Sequence, residues 1–102
     1  MKIIVVDDEM DALHVFLNEI IEAPGVEYKF YRDDEDAICK YVSEHAVDAA
    51  FLDINMPRIN GVELAEKLTE ISPSLKIVFI TGLSITENDL PERVRKHTAG
   101  FL

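Results

Sequence analysis

The sequence of 102 residues has a single cysteine, no long apolar run and half as many basic as acidic residues. Cys39 alone cannot form an internal disulfide, and nothing near it offers a second set of metal-type ligands, so we expect a packing or surface residue on a helix. No stretch approaches the ~20 apolar residues of a membrane span, and no signal-peptide pattern precedes the first strand, which predicts a cytoplasmic protein.

The shortage of positive charge limits the partners. The chain carries 20 acidic residues against 10 lysines and arginines, for a formal net charge of −10. This balance argues against nonspecific binding to nucleic acid or to an anionic membrane by this segment. Hydrophobic residues nevertheless make up 48% of the chain, which excludes a disordered acidic tail. We therefore expect one compact domain over residues 1–102, with partners that are cationic or metal-bearing.

Apolar segments alternate with segments of helical spacing. The predicted strands cover residues 3–6, 26–31, 49–53 and 75–80, and a fifth begins at 99. The first predicted helix has apolar positions 13, 16, 17, 20 and 21. The second follows the acids at 33–36, and its predicted inner face is Ala37, Ile38, Tyr41, Val42 and His45. This order predicts an α/β fold, with helices on both faces of a doubly wound parallel sheet.

Two further helices complete the predicted pattern. One begins at about Val62 and ends before Ser72-Pro73, with an inner face of Leu64, Ala65, Leu68 and Ile71. The other is short, because Pro91 is tolerated only near a helix start, and we expect Asn88 or Asp89 to cap it.

Acidic residues end two of the buried strands. The run Ala49-Ala50-Phe51-Leu52 leads into Asp53, and Ile3-Ile4-Val5-Val6 leads into Asp7-Asp8. In an open parallel sheet, ligands bind outside the carboxyl ends of the strands, so three carboxylates are expected to converge there. Pro57 and Asn60-Gly61 supply turn chemistry that holds the loop after Asp53 in one shape.

The segments VVDDE, DINMPRING, FITG and AGFL, in this order and at these spacings, closely resemble the receiver domain of bacterial two-component response regulators. The resemblance covers the whole chain, and three motifs at three strand ends must coincide for it to arise. It implies a five-stranded, flavodoxin-like sheet in the order 2-1-3-4-5. It also implies that a phosphohistidine on a sensor histidine kinase phosphorylates Asp53, in a phosphorelay whose downstream effector is not specified.

The resemblance further assigns a metal site for Mg²⁺ (or Mn²⁺). Asp8 would be a direct ligand and Asp7 a ligand through water, with Asp53 and the backbone carbonyl of Asn55 completing the set. The chemistry agrees, because a carboxylate cannot approach a dianionic phosphoryl group beside two other carboxylates unless a cation neutralises them.

By the same resemblance, the Thr81 hydroxyl would donate to a phosphoryl oxygen. Phe101 matches the aromatic residue that turns into the space vacated when the threonine moves inward. The face formed by the fourth helix and the fifth strand would then report the state of Asp53 to a partner, as a shift between two existing conformations.

The chain departs from the family pattern after Leu102. The family has a lysine about two residues beyond a GFL-type strand, followed by a fifth helix, and neither occurs in this sequence. We expect weaker or slower phosphorylation without the lysine. An apolar patch left without its helix also predicts self-association or marginal stability.

Two function classes remain open. One is a phosphoacceptor with modest self-phosphorylating and self-dephosphorylating chemistry, which is not an enzyme in the usual sense. The other is a phosphorylation-independent, receiver-like module for dimerisation or docking. An independent hydrolase is disfavoured, because the sequence has no serine, cysteine or histidine nucleophile constellation.

Overall fold

A computed structural model of the chain describes residues 1–7, 24–54, 60–80 and 90–101. In these ranges the strands are β1 (Lys2–Val6), β2 (Glu27–Tyr31), β3 (Ala49–Asp53), β4 (Lys76–Ile80) and β5 (Thr98–Phe101). The helices are α1 (Glu35–Glu44), α2 (Gly61–Ile71) and α3 (Glu92–His97). The helix predicted around residues 13–21 lies outside the described ranges.

The five strands form one sheet in the order β2-β1-β3-β4-β5, and every neighbouring pair is parallel. This arrangement confirms both the predicted α/β fold class and the predicted strand order. Because all five strands run the same way, their carboxyl ends lie along a single edge of the sheet. We call it the carboxyl edge, and the opposite one the amino edge.

Burial explains why the central strands read as continuous apolar runs. Ile3, Ile4, Val5 and Val6 of β1 are fully buried, and residues 49–52 of β3 are at most 7% exposed. A strand buried on both faces cannot alternate polar with apolar residues. In contrast, β2 lies at the sheet margin, and its Tyr28 side chain is 48% exposed. The alternating pattern of residues 26–31 therefore predicted an edge strand correctly.

The larger core cluster lies on one face of the sheet and includes all three described helices. From the sheet it takes Ile4, Val6, Ala50, Leu52, Ile77 and Phe79. From the helices it takes Ile38, Val42, Leu64, Ala65, Leu68 and Val94. A second cluster, Ile3, Val5, Ala49 and Phe51, lies on the opposite face. Cys39 packs against the larger cluster as expected, and partial burial, followed by the nearby Glu35 carboxylate, raises the pKa of its thiol.

The starts of α1 and α2 follow from their capping residues. The Asp34 carboxylate accepts from the Ala37 N–H at 3.1 Å, and Glu35 and Asp36 follow in the first turn, as the acidic run predicted. The Asn60 side chain accepts from the N–H groups of Val62 and Glu63 at 2.8 and 3.4 Å. Both side chains satisfy backbone donors that have no partner within the helix.

Two residues predicted on inner helix faces are exposed instead. His45 is the residue after α1, where the backbone is already extended, and its ring stacks on that of Tyr41 with centroids 4.1 Å apart. Ile71 is the last residue of α2 and is 40% exposed. Helical spacing continued the apolar stripe to both positions, but each helix reaches its end there, so neither side chain enters the core.

The predicted cap of α3 by Asn88 or Asp89 is also wrong. The helix begins at Glu92, and Pro91 is its N-cap without a capping side chain. Leu90 is buried and Pro91 is extended with ψ 148°, so the first helical hydrogen bond runs from the Arg95 N–H to the Pro91 carbonyl at 2.9 Å. The helix is short, as predicted, and it passes into β5 at Thr98 with no residue between them.

Candidate phosphoacceptor site

Asp7 and Asp53 occupy matching positions at the ends of two neighbouring strands. In the pairing of β1 with β3, Val6 is opposite Leu52, and each of these is followed by one of the two aspartates. Adjacent strands lie about 4.8 Å apart, and side chains two residues apart share a face. Both aspartates therefore lie at the carboxyl edge. By this alternation Asp7 is on the same face of the sheet as Val5, and Asp53 on the same face as Phe51. This is the placement predicted from the two apolar runs that end in acids.

The two carboxylates differ in burial. Asp7 is only 6% exposed, and its N–H donates to the Tyr31 carbonyl at 3.0 Å, so the main chain is still held in the sheet beyond β1. Asp53 is half-buried, as the last residue of β3. A buried carboxylate is favourable only with hydrogen-bond donors or a cation to compensate its lost hydration. Asp53 keeps the partial access to solvent that a reacting group needs.

These two residues fit a hard divalent cation. Mg²⁺ prefers oxygen ligands and is commonly held by one or two carboxylates together with water and phosphate oxygens. Within residues 1–7, 24–54, 60–80 and 90–101, no three His, Cys, Asp or Glu side chains are grouped closely enough to hold a metal. Of the four predicted ligands, Asp7 and Asp53 are the two that lie in the described part of the chain. The other two predicted ligands, Asp8 and Asn55, lie outside the described residues.

The main chain after Asp53 is held on both sides. The Ile54 N–H donates to the Ile80 carbonyl at 3.2 Å, which extends the contact with β4 one residue beyond the strand. The Gly61 N–H donates to the Ile54 carbonyl at 3.3 Å, which brings the start of α2 against the end of β3. The chain therefore returns from residue 54 to residue 61 with both ends of the connection fixed.

Sequence reasoning treated Asn60-Gly61 only as a permissive turn and missed two specific contacts. Asn60 is the N-cap of α2, and the signal was available, because Asn60 is followed three residues later by Glu63, the spacing of a capping box. A Cβ on Gly61 would lie 2.8 Å from the Ile54 Cα and closer still to the Asp53 carbonyl oxygen. This close approach of two backbones cannot be read from the sequence.

The two predicted switch residues are described only in part. Thr81 lies outside the described residues, one position beyond the end of β4. Phe101 is the last residue of β5, and its backbone pairs with Phe79 of β4. The pairing shifts between Ile77 and Val78, so that Thr98 is opposite Ile77 and Gly100 opposite Val78. Because of this shift in register, Phe101 is opposite Phe79.

The sequence profile of the family described as "Response regulator receiver domain" matches residues 3–102. This chain belongs to the response regulator receiver domain family. The receiver domain is 34% identical to the response regulator receiver protein CpdR of Brucella abortus over 83 residues, which are 81% of this chain and 68% of CpdR. Its function class is therefore phosphorelay signal transduction in two-component systems.

The receiver domain is also 38% identical to the transcriptional regulatory protein YpdB of Escherichia coli (strain K12) over 82 residues. The match includes 80% of this chain but 34% of YpdB, so the receiver domain spans about a third of that relative. Among the described helices of the receiver domain, none has both the length and the apolar composition needed to cross a bilayer.

Solved structures agree with the fold of the receiver domain. The wild-type response regulator TrrA of Thermotoga maritima, in complex with Mg²⁺-BeF, matches with a TM-score of 0.76 at 27% identity, over 99% of this chain and 84% of TrrA. A structure of the histidine kinase ThkA in complex with TrrA matches with a TM-score of 0.72 at 28% identity, over 99% of this chain and 83% of that one.

Proposed function

We propose that Asp53 is the phosphoryl acceptor of this receiver domain and that its donor is a phosphohistidine on a sensor histidine kinase. The observation that carries the proposal is the register of β1 and β3, which brings Asp7 and Asp53 together at the carboxyl edge. The complex of TrrA with the histidine kinase ThkA supports the class of partner. The downstream effector that receives the signal is a further partner.

The reaction needs a nucleophile that is fixed and accessible. A carboxylate oxygen of Asp53 attacks phosphorus, the new P–O bond forms an aspartyl phosphate, and the P–N bond of the phosphohistidine breaks. The released imidazole takes its proton from solvent. Placement of the nucleophile and stabilisation of charge are most of what phosphoryl transfer requires of a protein. Asp53 has this placement because β3 and the Ile54 contact with β4 fix its main chain.

Asp7, Asp8, Asp53 and the Asn55 carbonyl are the proposed ligands of Mg²⁺ or Mn²⁺. When bound, the cation would supply the positive charge that lets a phosphoryl group approach a cluster of carboxylates. The carboxylate chemistry of Asp7 and Asp53 and the matched register of their strands support this assignment. TrrA, whose solved complex contains Mg²⁺-BeF, supports it for the family.

Thr81 and Phe101 are the proposed switch residues. Phosphorylation replaces the carboxylate charge with about −1.5 to −2 and adds three strong acceptor oxygens, one of which the Thr81 hydroxyl would bind. The Phe101 side chain would then occupy the space that Thr81 leaves. The pairing of Phe101 with Phe79 supports a link between the site and β5, because β4 also leads to Thr81.

Acetyl phosphate with Mg²⁺ tests the proposal without a kinase. We expect wild-type protein to gain the mass of one phosphoryl group, and Asp53→Ala to lose this gain by about a hundredfold or more, because the nucleophile is gone. Asp48→Ala is the matched control, since Asp48 precedes the same strand at the opposite edge and should leave the gain intact.

Phosphorylation that persists in Asp53→Ala would contradict the assignment of the acceptor. A wild-type protein that takes up no phosphoryl group, in the presence of Mg²⁺ and excess donor, would instead support the phosphorylation-independent interaction module.

A further inference from the structure

Gly61 lies against the main chain that follows the proposed phosphoacceptor. It is the first residue of α2, and its N–H donates to the Ile54 carbonyl at 3.3 Å. A Cβ at this position would lie 2.8 Å from the Ile54 Cα, and closer still to the carbonyl oxygen of Asp53. The atoms that it would meet belong to the backbone, so no side chain can rotate away to make room. The absence of a side chain at residue 61 is therefore a condition of this contact.

The other two described glycines show that this requirement is specific. A Cβ on Gly25 or on Gly100 would have no heavy atom within 4 Å. Gly25 has a different reason to be glycine, because its φ of +81° is a conformation that other residues rarely adopt. Gly100 has neither constraint, so it is a matched site at which the same substitution adds the same methyl group without a contact.

The displaced atoms would be those that carry the Asp53 carboxylate. The Ile54 N–H is bonded to the Ile80 carbonyl at 3.2 Å, so the main chain at residues 53 and 54 lies between β4 on one side and Gly61 on the other. A methyl group on residue 61 would have to move either the start of α2 or the end of β3. A shift of about 1 Å at a reacting group can reduce a rate by a hundredfold.

We propose that Gly61 is a positioning residue, whose missing side chain sets the main chain of Asp53 and Ile54 for phosphoryl acceptance. This inference rests on the proposed function of Asp53. Gly61 itself does not touch the phosphoryl group in this proposal and acts only through the carbonyl of Asp53 and the backbone of Ile54.

The proposed positioning role of Gly61 can be distinguished from an effect on the stability of α2 alone. On helix propensity, replacing a helical glycine by alanine is favourable, so Gly61→Ala should stabilise α2 unless the contact with β3 opposes it. Asn60 offers the converse control, because its side chain caps α2 through the N–H groups of Val62 and Glu63. Asn60→Ala should therefore weaken the helix start while it leaves the glycine in place.

The experiment compares wild type, Gly61→Ala, Gly100→Ala and Asn60→Ala with acetyl phosphate and Mg²⁺ as the probe. The initial rate is measured against acetyl phosphate concentration and divided by the folded fraction from urea denaturation. For Gly61→Ala we expect the maximal rate per folded molecule to fall roughly ten- to a hundredfold, with little change in the half-saturating concentration, because the nucleophile is misplaced. Gly100→Ala and Asn60→Ala should keep the wild-type rate per folded molecule.

A wild-type rate per folded molecule in Gly61→Ala would overturn the proposal, even if that variant is less stable. If Gly61→Ala does not fold, the wild-type protein decides the question by amide NMR during titration with Mg²⁺ and beryllofluoride. The Gly61 resonance should then shift together with those of Asp53 and Ile54, while that of Gly25 should not. A Gly61 resonance that stays in place overturns the proposal.

Failure of the proposed function is recognised separately, by a wild-type protein that gains no phosphoryl group. In that case the amide resonances of Asp53 and Ile54 are compared between Gly61→Ala and Gly100→Ala in the absence of ligands. Shifts confined to Gly61→Ala support the positioning of this main chain by Gly61, and equal shifts in the two variants overturn it.

Discussion

An aspartate lies at each end of β3, with Asp48 just before the strand and Asp53 as its last residue, and we propose different roles for the two. At the amino edge, Asp48 is exposed and binds the neighbouring strand β1. One of its carboxylate oxygens accepts from the Lys2 N–H at 2.7 Å. Its own N–H donates to the Lys2 carbonyl at 2.7 Å, and its carbonyl accepts from the Lys76 N–H at 3.1 Å. Asp48 thus joins the starts of β1, β3 and β4. An acid in this position is a structural connection.

At the carboxyl edge, Asp53 is half-buried beside the matched Asp7 of the neighbouring strand. Two negative groups placed together oppose one another unless a cation or hydrogen-bond donors compensate them, so this pair requires such compensation. Under the proposed function, the direction of the strands decides the role of an acid next to a buried strand. Loss of Asp48 should act on folding, and loss of Asp7 or Asp53 on ligand binding and chemistry.

The largest difference between variants at the two edges is expected in the Mg²⁺ dissociation constant. Asp7→Asn keeps the shape of the side chain but removes a proposed ligand charge, and we expect the Mg²⁺ dissociation constant to rise by about tenfold or more. Asp48→Asn, the same change at the amino edge, should leave it unchanged. Amide NMR titration with Mg²⁺ alone measures both. Equal affinities in Asp7→Asn and wild type would remove Asp7 from the proposed site.

An effect of intermediate size is expected in stability, and here the amino-edge variant should be affected more than the carboxyl-edge variant. Asp48→Ala removes the acceptor of the Lys2 N–H, so the free energy of unfolding should fall by about 1 kcal/mol, the typical net contribution of one such hydrogen bond. Urea denaturation followed by circular dichroism gives the value. Asp53→Ala leaves the bonds that Asp48 makes at the amino edge intact and should lose less stability than Asp48→Ala. A larger loss of stability in Asp53→Ala than in Asp48→Ala would contradict the division between the edges.

The smallest effect is expected at a position outside both edges. The Lys67 ammonium donates to the Glu35 carboxylate at 2.5 Å and so joins α2 to α1, and this hydrogen bond raises the pKa of Lys67 above its usual 10.5. A raised lysine pKa stabilises the fold fully below 10.5, and the contribution is lost as the pH rises through the folded value. Because Lys67 is exposed, the effect is small.

Lys67→Met should therefore lower the urea midpoint slightly at pH 8 and low salt. The difference from wild type should shrink at high salt, through screening, and disappear as the pH rises through the folded pKa of Lys67, which lies above 10.5. A difference that persists under both conditions would show that the lysine acts through packing instead of charge.

Much of the fold could be predicted from the sequence because burial leaves a periodic signal. The apolar runs of β1 and β3 and the alternation in β2 indicated their places in the sheet. The acids after Val6 and Leu52 lie at the carboxyl edge as expected, and their role as a site stays a prediction. The predictions for His45 and Ile71 were wrong because periodicity does not show where a helix leaves the core. The α3 cap was also wrong, because the burial of Leu90 and the extended Pro91 delay the helix start.

The contacts that support the site were harder to predict. Asn60 had a recognisable capping pattern, but Asp48 resembles any other polar residue in a loop until its bonds to Lys2 are known. The contact of Gly61 with the Asp53 main chain depends on the angle at which α2 meets β3, and that angle results from packing of the whole layer. Local sequence contains no measure of it.

The direct passage of α3 into β5 has a mechanical consequence. Thr98 is both the residue that ends the helix, with its hydroxyl donating to the Val94 carbonyl at 2.8 Å, and the first residue of the strand. Because no residue separates the two elements, a rotation of α3 would act directly on Thr98, the first residue of β5. Ala99, which the irregular pairing leaves between the Thr98–Ile77 and Gly100–Val78 pairs, is the first place at which such a movement would be taken up.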